Sequence, residues 1–290
     1  MIVGSMMSKN IPKKIHQIYT KGCDALPDEI HASIADLQQR NPGWEYHFYD
    51  NNRIVDYLEK NYEPEILNLY SEINPKYGAA RADFFRYLLV YKEGGVYLDI
   101  KSSCSKPLDD IIPEQCELMV CNWDNKPGGS DNDMGKHQAL CFLKNGEYQQ
   151  WNIIAAPHSP YLKAVIDEVV ARLKSYKPWR YGVGMQGVLH TTGPVPFSLG
   201  IEKIKKCQGF HLKENHRNVG LIYRNVNSKV MKLISRDHYS RLREPVVLLH
   251  GNDKIIYKIW LYCVFPFWRL RKNTVNETRK VVNKLKLWAT

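Results

Sequence analysis

The sequence predicts an α/β protein, an open sheet flanked by helices and followed by a helical appendage. Three observations predict this. Short strand patterns alternate with amphipathic helical patterns over the first hundred residues. A strong helical stretch, 77–92, passes through Gly94-Gly95 straight into a strand pattern at 96–100. The basic residues crowd into a segment after Asp253, which divides the chain into a main domain, 1–253, and a basic, aromatic tail, 254–290.

Taken in order, 14–20 (KIHQIYT) reads as a first strand punctuated by Pro12. Residues 27–40 place Ile30, Ile34 and Leu37 at helical spacing and stop at the turn cluster Asn41-Pro42-Gly43. A second strand at 44–49 (WEYHFY) and one or two helices over 51–70 continue the alternation. Residues 117–122 read as a further strand, 125–135 as a long polar loop suited to flank a site, and 160–174 as an amphipathic helix. Residues 246–249 read as a last short strand ending in His250-Gly251-Asn252-Asp253. In an open sheet of this kind the ligand lies beyond the carboxyl ends of the strands.

A chain of 290 residues with 44% hydrophobic and 24% charged residues has ordinary globular composition and enough apolar content for a sizeable core. Seven cysteines (Cys23, Cys104, Cys116, Cys121, Cys141, Cys207, Cys263) are an odd number without zinc or redox spacing, so they read as small buried thiols. With no signal-peptide pattern and no apolar run of about 18 residues, the expected location is the cytoplasm. Asn276-Glu277-Thr278 therefore carries no weight as a glycosylation acceptor.

The net charge of +11 calls for a polyanionic partner, and from Lys254 onward nine basic residues stand against Glu277 alone, so +8 of it lies in the tail. A nucleic-acid binder would spread its basic residues over one face with interleaved aromatics; the crowding here argues against nucleic acid. The tail opens with IIYKIWLYCVFPFW (255–268), whose longest uncharged run is ten residues, too short to span a bilayer. Arg269, Arg271 and Lys272 follow, then a basic helix-like stretch with Val281, Val282, Leu285 and Trp288. Aromatic and basic residues together suit the interface of an anionic membrane, so peripheral attachment is expected; the alternative is a pair of helices packed back on the domain.

Chemistry concentrates at 94–101 (GGVYLDIK). On an extended strand Val96, Leu98 and Ile100 share one face, and Tyr97, Asp99 and Lys101 the other. A carboxylate and a cation at a strand's carboxyl end suit a diphosphate leaving group, whose charge grows as its bond breaks. They also suit a plain surface ion pair. On the preceding helix Ala80, Phe84, Leu88 and Tyr91 follow the buried face, while Asp83 and Arg86 neighbour each other on another stripe. That pair either decorates the helix or reaches toward the same strand end as Asp99. No phosphate-cradling P-loop and no G-x-S-x-G is present, so kinase-like and α/β-hydrolase chemistry lack their parts.

The stretch 77–110, YGAARADFFRYLLVYKEGGVYLDIKSSCSKPLDD, closely resembles the sugar-binding region of glycosyltransferase family 32, which is related to the glucosylating domains of large bacterial toxins. IPKKIHQIY (11–19) resembles the family's first strand, with Tyr19 where a tryptophan is common; 152–160 and Thr192-Gly193-Pro194 look like later motifs. The resemblance covers roughly residues 11–250. It implies a GT-A fold, a Rossmann-like open sheet with helices on both faces, binding a UDP- or GDP-sugar and transferring the sugar with retention. Carried over by position, Asp83 and Arg86 would contact the sugar and phosphate side of the donor, and Asp99 would be the first carboxylate of D-x-D. Tyr97 and Lys101 would flank it, Ile18 and Tyr19 would lie by the base, and Thr192 and Gly193 near the donor sugar.

Lys101 stands where the second aspartate of D-x-D would, and an ammonium cannot coordinate the Mn²⁺ or Mg²⁺ that this carboxylate usually holds. Two readings stay open. Asp99 with His250 or Asp253 could hold the metal, or Lys101 could itself neutralise the diphosphate. Trp123, Trp151 and Trp179 offer faces for an acceptor sugar, although core packing is the commoner use of tryptophan; His16, His47, His137 and His158 form no paired arrangement. The expected function is a retaining hexosyltransferase acting on a glycan, glycolipid or polysaccharide at the cytoplasmic face of a membrane. The alternative is a nucleotide-sugar or glycan-binding module that has lost catalysis.

Overall fold

A computed structural model describes residues 10–205, 209–234 and 239–265. Its element order begins with β1 (Lys14–Ile18), α1 (Asp28–Arg40), β2 (Glu45–Tyr49), α2 (Asn51–Asn61), α3 (Pro64–Glu72), α4 (Gly78–Glu93) and β3 (Gly95–Leu98). β4 (Ser103–Cys104), β5 (Leu118–Cys121) and β6 (Asn152–Ala155) follow, then α5 (Pro160–Lys174), α6 (Pro178–Tyr181), α7 (Gly184–Thr191) and α8 (Pro194–Ile204). The chain continues through β7 (Phe210–Lys213), α9 (His216–Val219), β8 (Leu221–Ile222), α10 (Ser228–Ile234) and α11 (Asp253–Ile259), with a π-helical turn at Trp260–Val264.

Six strands form one mixed sheet in the order β2-β1-β3-β6-β5-β7, while β4 and β8 pair in a small antiparallel ribbon. β2, β1 and β3 run parallel, β6 runs antiparallel to both its neighbours, and β7 runs parallel to β5. Strand alternation divides the core between the two faces. Tyr97, Leu118, Val120 and Ile153 pack with Phe84 and Leu88 of α4, Val165 and Val169 of α5 and Phe197 of α8. Ile15, Val96, Leu98, Met119 and Ile154 pack on the other face with Leu37 of α1 and with Cys104 and Leu221 of the ribbon. The architecture is therefore the open α/β sheet with helices on both faces that the alternation of elements predicts.

Local chemistry explains the elements nearest the site. Asp50 caps α2, its carboxylate accepting from the Arg53 N–H at 2.9 Å. α4 is buried at every position from Asp83 to Val90, because the sheet covers one side and neighbouring helices the other. The return from α4 to β3 uses Gly94 and Gly95 at φ +67° and +95°, where other residues are strained. A Cβ on Gly95 would also lie 2.5 Å from the Lys14 carbonyl, so β1 and β3 approach closely only because glycine stands there. This tight return lays β3 back along α4 and brings Asp83 and Arg86 to its carboxyl end.

Three expectations are corrected. β3 stops at Leu98 rather than Ile100: the Asp99 N–H donates to the Trp151 carbonyl, and the Ser102 N–H closes a turn on the Asp99 carbonyl, both at 2.8 Å. Ile100 leaves the strand's face and joins Leu26, Ile30 and Val230 in a separate apolar cluster. Residues 246–249 form no strand; Val247 makes an isolated bridge to Ile73, while the Leu248 N–H donates to Glu72 and the Val246 carbonyl accepts from Asn74. That stretch satisfies the polar groups left over at the end of α3. The first strand ends at Ile18, two residues short of its expected end.

Of the tail, residues 254–265 are described, and the basic segments from Arg269 to Lys286 lie outside the described residues. Among the described residues no helix is long and apolar enough to cross a membrane.

Candidate functional site

An open cleft of about 770 Å³ lies beyond the carboxyl ends of β1 and β3, where ligands bind in open α/β sheets. Ile18 and Tyr19 border it from β1, Asp83 and Arg86 from α4, Tyr97, Asp99 and Lys101 from β3 and the turn after it, and Tyr223 and Arg224 from the segment after β8. Trp123, Met134, Glu147, Gln150 and Trp151 border it as well.

Arg86 is the hub. One turn apart on α4, it meets the Asp83 carboxylate at 2.9 Å, and its other terminal nitrogen lies 3.0 Å from Asp99 Oδ1 and donates to the Gln150 carbonyl at 3.0 Å. Its guanidinium lies over the Tyr97 ring, 4.5 Å from the centroid, and the Tyr97 hydroxyl donates to Asp99 Oδ1 at 2.9 Å. Asp83 and Arg86 keep only 5% and 7% of their side-chain surface exposed, whereas Asp99 keeps 20%. A buried ion pair persists only when its remaining polar positions are filled. Here they are: Thr192 Oγ1 donates to Asp83 at 3.2 Å, Gln150 Nε2 donates at 3.4 Å, and Tyr87 holds Thr192 by donating to its carbonyl at 2.9 Å.

Burial pushes the Asp83 carboxyl up to about 6 and the Asp99 charge adds to this, while Arg86 and the donors from Thr192 and Gln150 pull it back. Burial opposes the charge on Arg86, but Tyr97, Asp99 and Asp83 around it outweigh that and raise it above its ordinary value. Lys101 behaves likewise: burial works against its ammonium, and Asp99 and Tyr223 more than compensate. Its Nζ lies 3.5 Å from Asp99 Oδ2 and 4.9 Å from the centre of the Tyr223 ring.

A divalent cation does not fit these residues as they stand, because it needs several free oxygen ligands. Asp99 Oδ1 is taken by Arg86 and Tyr97, and its Oδ2 faces an ammonium. His250 and Asp253 are engaged elsewhere: His250 Nε2 lies 2.6 Å from Glu72, and Asp253 pairs with Lys177. Neither borders the cleft. Among the described residues no group of three His, Cys, Asp or Glu side chains is placed to hold a metal.

Thr192 and Gly193 do not themselves border the cleft. Thr192 is fully buried and donates to Asp83, and Gly193, at the start of α8, donates its N–H to the Val188 carbonyl of α7 at 2.9 Å. Trp123 and Trp151 border the cleft although they are almost fully buried, whereas Trp179 is exposed outside it. His137, expected to form no paired arrangement, meets Glu147 at 2.5 Å, and Trp123 Nε1 donates to the same carboxylate at 2.8 Å.

Sequence reasoning missed Gln150, Glu147, Tyr223 and Arg224. Gln150 and Glu147 stand within six residues of the motif at 152–160, which could have flagged them. Tyr223 and Arg224 carry no such signal, since only the ribbon and the turn after β3 bring them in: Ser102 Oγ donates to the Tyr223 carbonyl at 2.7 Å, and the Asn225 N–H donates to the Lys101 carbonyl at 2.8 Å.

The chain is similar in sequence to known glycosyltransferases. Residues 27–118 match the model of the glycosyltransferase sugar-binding region containing DXD motif. An uncharacterized glycosyltransferase of Acanthamoeba polyphaga mimivirus is 39% identical over 102 residues, covering 35% of this chain and 40% of the relative. The mannosyl phosphorylinositol ceramide synthase of Saccharomyces cerevisiae is 27% identical over 219 residues, covering 70% of this chain and 53% of the relative. The chain thus spans about half the length of these relatives or less. Among solved structures, the PaToxG glycosyltransferase superposes with a TM-score of 0.48 at 16% identity, over 81% of this chain and 87% of that one.

Proposed function

Because residues 27–118 match a DXD-type sugar-binding region of glycosyltransferases, we propose that this protein is a retaining glycosyltransferase of GT-A type. It takes a hexose from a UDP- or GDP-sugar and passes it to a glycan, glycolipid or polysaccharide. The observation that carries the reading is the buried Asp83, Arg86, Asp99 assembly at the floor of a cleft beyond β3. A volume of about 770 Å³ suits a ligand of nucleotide-sugar size. That the Saccharomyces cerevisiae relative is by its name a mannosyl phosphorylinositol ceramide synthase supports a glycolipid acceptor and a mannosyl donor.

In this mechanism the base stacks by Ile18 and Tyr19, and the diphosphate lies over Asp99 and Lys101. Arg86 and the partly exposed Asp99 contact the sugar and phosphate side of the donor, and Asp83, held by Thr192, fixes Arg86. As the bond to the anomeric carbon breaks, the charge growing on the leaving diphosphate meets cations already in place, so little reorganisation is needed. The acceptor hydroxyl attacks from the face the diphosphate leaves, and its proton passes to the departing phosphate oxygen. No separate enzymic base is required.

The test is NMR of each UDP- and GDP-sugar with the full chain, with and without EDTA. Turnover that first yields the donor's own anomer supports the reading. No turnover of any donor in either condition favours a binding module, a rival to which Lys101 lends weight by departing from D-x-D.

Asp83 gives a pH prediction. A carboxyl raised from 3.8 to about 6 binds a proton on folding, so its contribution to stability falls as pH rises through that window. The ionised form that fixes Arg86 exists above it. Donor turnover should therefore decline by about tenfold per pH unit below pH 6, and Asp83→Asn should lose that acid limb; an unchanged profile in the variant would assign the limb elsewhere.

We further propose that residues 254–290 form an appendage to the domain at 1–253 and attach it to an anionic membrane at the cytoplasmic face. Ile255, Ile259 and Tyr262 are 61%, 58% and 76% exposed, and each basic residue near such a surface contributes about 1 kcal/mol. Removing 254–290 should abolish co-sedimentation with phosphatidylserine vesicles; undiminished binding would refute the attachment.

A further inference from the structure

The cleft gathers more positive charge at one point than its own carboxylates neutralise. Lys101 Nζ and the Arg224 guanidinium pack against the same tyrosine, 4.9 Å and 5.2 Å from the centre of the Tyr223 ring. Their charges repel. Lys101 shares Asp99 with Arg86, and among the described residues no carboxylate pairs with Arg224, which is exposed to the cleft. Two cations held together at one mouth cost energy that an anion between them recovers.

The arrangement is built rather than incidental. On one side of Arg224 the Tyr223 carbonyl accepts from Ser102 Oγ, and on the other the Asn225 N–H donates to the Lys101 carbonyl. The backbone on both sides of Arg224 is thereby tied to the turn that carries Asp99 and Lys101. That turn is fixed in its own right: Gln17 Nε2 donates to the Asp99 carbonyl at 3.1 Å and to the Ser102 carbonyl at 3.4 Å. An arginine so anchored presents a planar fork of donors suited to phosphate oxygens, beside a lysine that acts as a point charge.

We propose that Lys101 and Arg224 are a paired cation site for the diphosphate of a nucleoside diphosphate donor, doing in this chain what a divalent metal does where D-x-D is complete. The proposal rests on the nucleotide-sugar reading and adds to it both a residue, Arg224, and independence from metal. Lys101 occupies the position of the second carboxylate, so one substitution removes a metal ligand and supplies a cation. Arg224 provides the second charge from a different part of the chain.

The test is calorimetric titration of the full chain with UDP and with GDP, in EDTA and in excess Mn²⁺. Wild type should bind one of them in EDTA, with an affinity that Mn²⁺ changes by less than about threefold. Arg224→Ala should weaken that binding by roughly tenfold, the scale of one charge-assisted contact, with a smaller effect on the corresponding nucleoside monophosphate. Arg224→Lys should retain part of the affinity, and Lys101→Asp should make binding depend on Mn²⁺. The exposed position of Arg224 keeps its two variants folded, and thermal midpoints will verify the fold of all three. Wild-type binding that needs Mn²⁺, or an Arg224→Ala variant that binds like wild type, would overturn the proposal while leaving the donor reading standing. Failure of both nucleotides to bind in either condition would remove the donor reading, and this assignment with it.

Discussion

Replacing Arg86 by alanine should cost about 3–5 kcal/mol of folding stability, the penalty expected when one partner of a buried charge network is removed. Arg86 is 7% exposed in its side chain and holds Asp83 at 2.9 Å and Asp99 at 3.0 Å. Without it two carboxylates face each other in a site that already pushes Asp83 up to about 6, and Asp83 must take up a proton or the site must open. Either response makes the loss depend on pH. A carboxyl whose folded value is raised further above 3.8 stabilises the fold at low pH and loses that contribution as pH rises. Urea unfolding at pH 5 and pH 7 should therefore show a smaller deficit at pH 5. A deficit below about 1 kcal/mol, the size of an exposed pair, would mean that the network is not held as the structure shows. Arg86→Lys should recover only part, because an ammonium cannot fork to two carboxylates and a carbonyl at once.

Asp99→Asn should lower donor turnover by about 10²–10³-fold, the scale of losing one preorganised electrostatic group at a reacting centre. The amide keeps the shape of the carboxylate but brings no charge to Arg86 and Lys101, so both cations lose their shared partner. Folding should suffer much less than turnover, by roughly 1–2 kcal/mol, because Asp99 is partly exposed and Asp83 still holds Arg86. Measuring kcat/KM beside the unfolding midpoint separates the two effects. A loss of turnover under tenfold would place Asp99 outside the reacting centre.

Much of the site is legible in the sequence because it depends on local pattern. Helical spacing locates α4 and the glycine pair marks the return into β3; the pattern leaves Asp83 and Arg86 either decorating the helix or reaching the strand end of Asp99, and the ion pairs lie at that strand end. What escapes depends on contacts distant in the chain. The four-residue strand at Asn152–Ala155 is too short for periodicity to separate from loop, yet it lies at the centre of the sheet. The apolar run at 246–249 looks like a strand, but pairs with the leftover polar groups after α3 and carries His250 away to Glu72. Arg224 is invisible in sequence because a ribbon of two-residue strands brings it to Lys101 from more than a hundred residues away.

The central claim is that the cleft over Asp83, Arg86 and Asp99 binds a nucleotide-sugar. Calorimetric titration of wild type and Asp99→Asn with a panel of UDP- and GDP-sugars tests it most directly. The account predicts that wild type binds one donor of the panel and that the variant, still folded, binds it at least about tenfold more weakly. Equal affinity in the two proteins, or no binding of any donor by wild type, would contradict it.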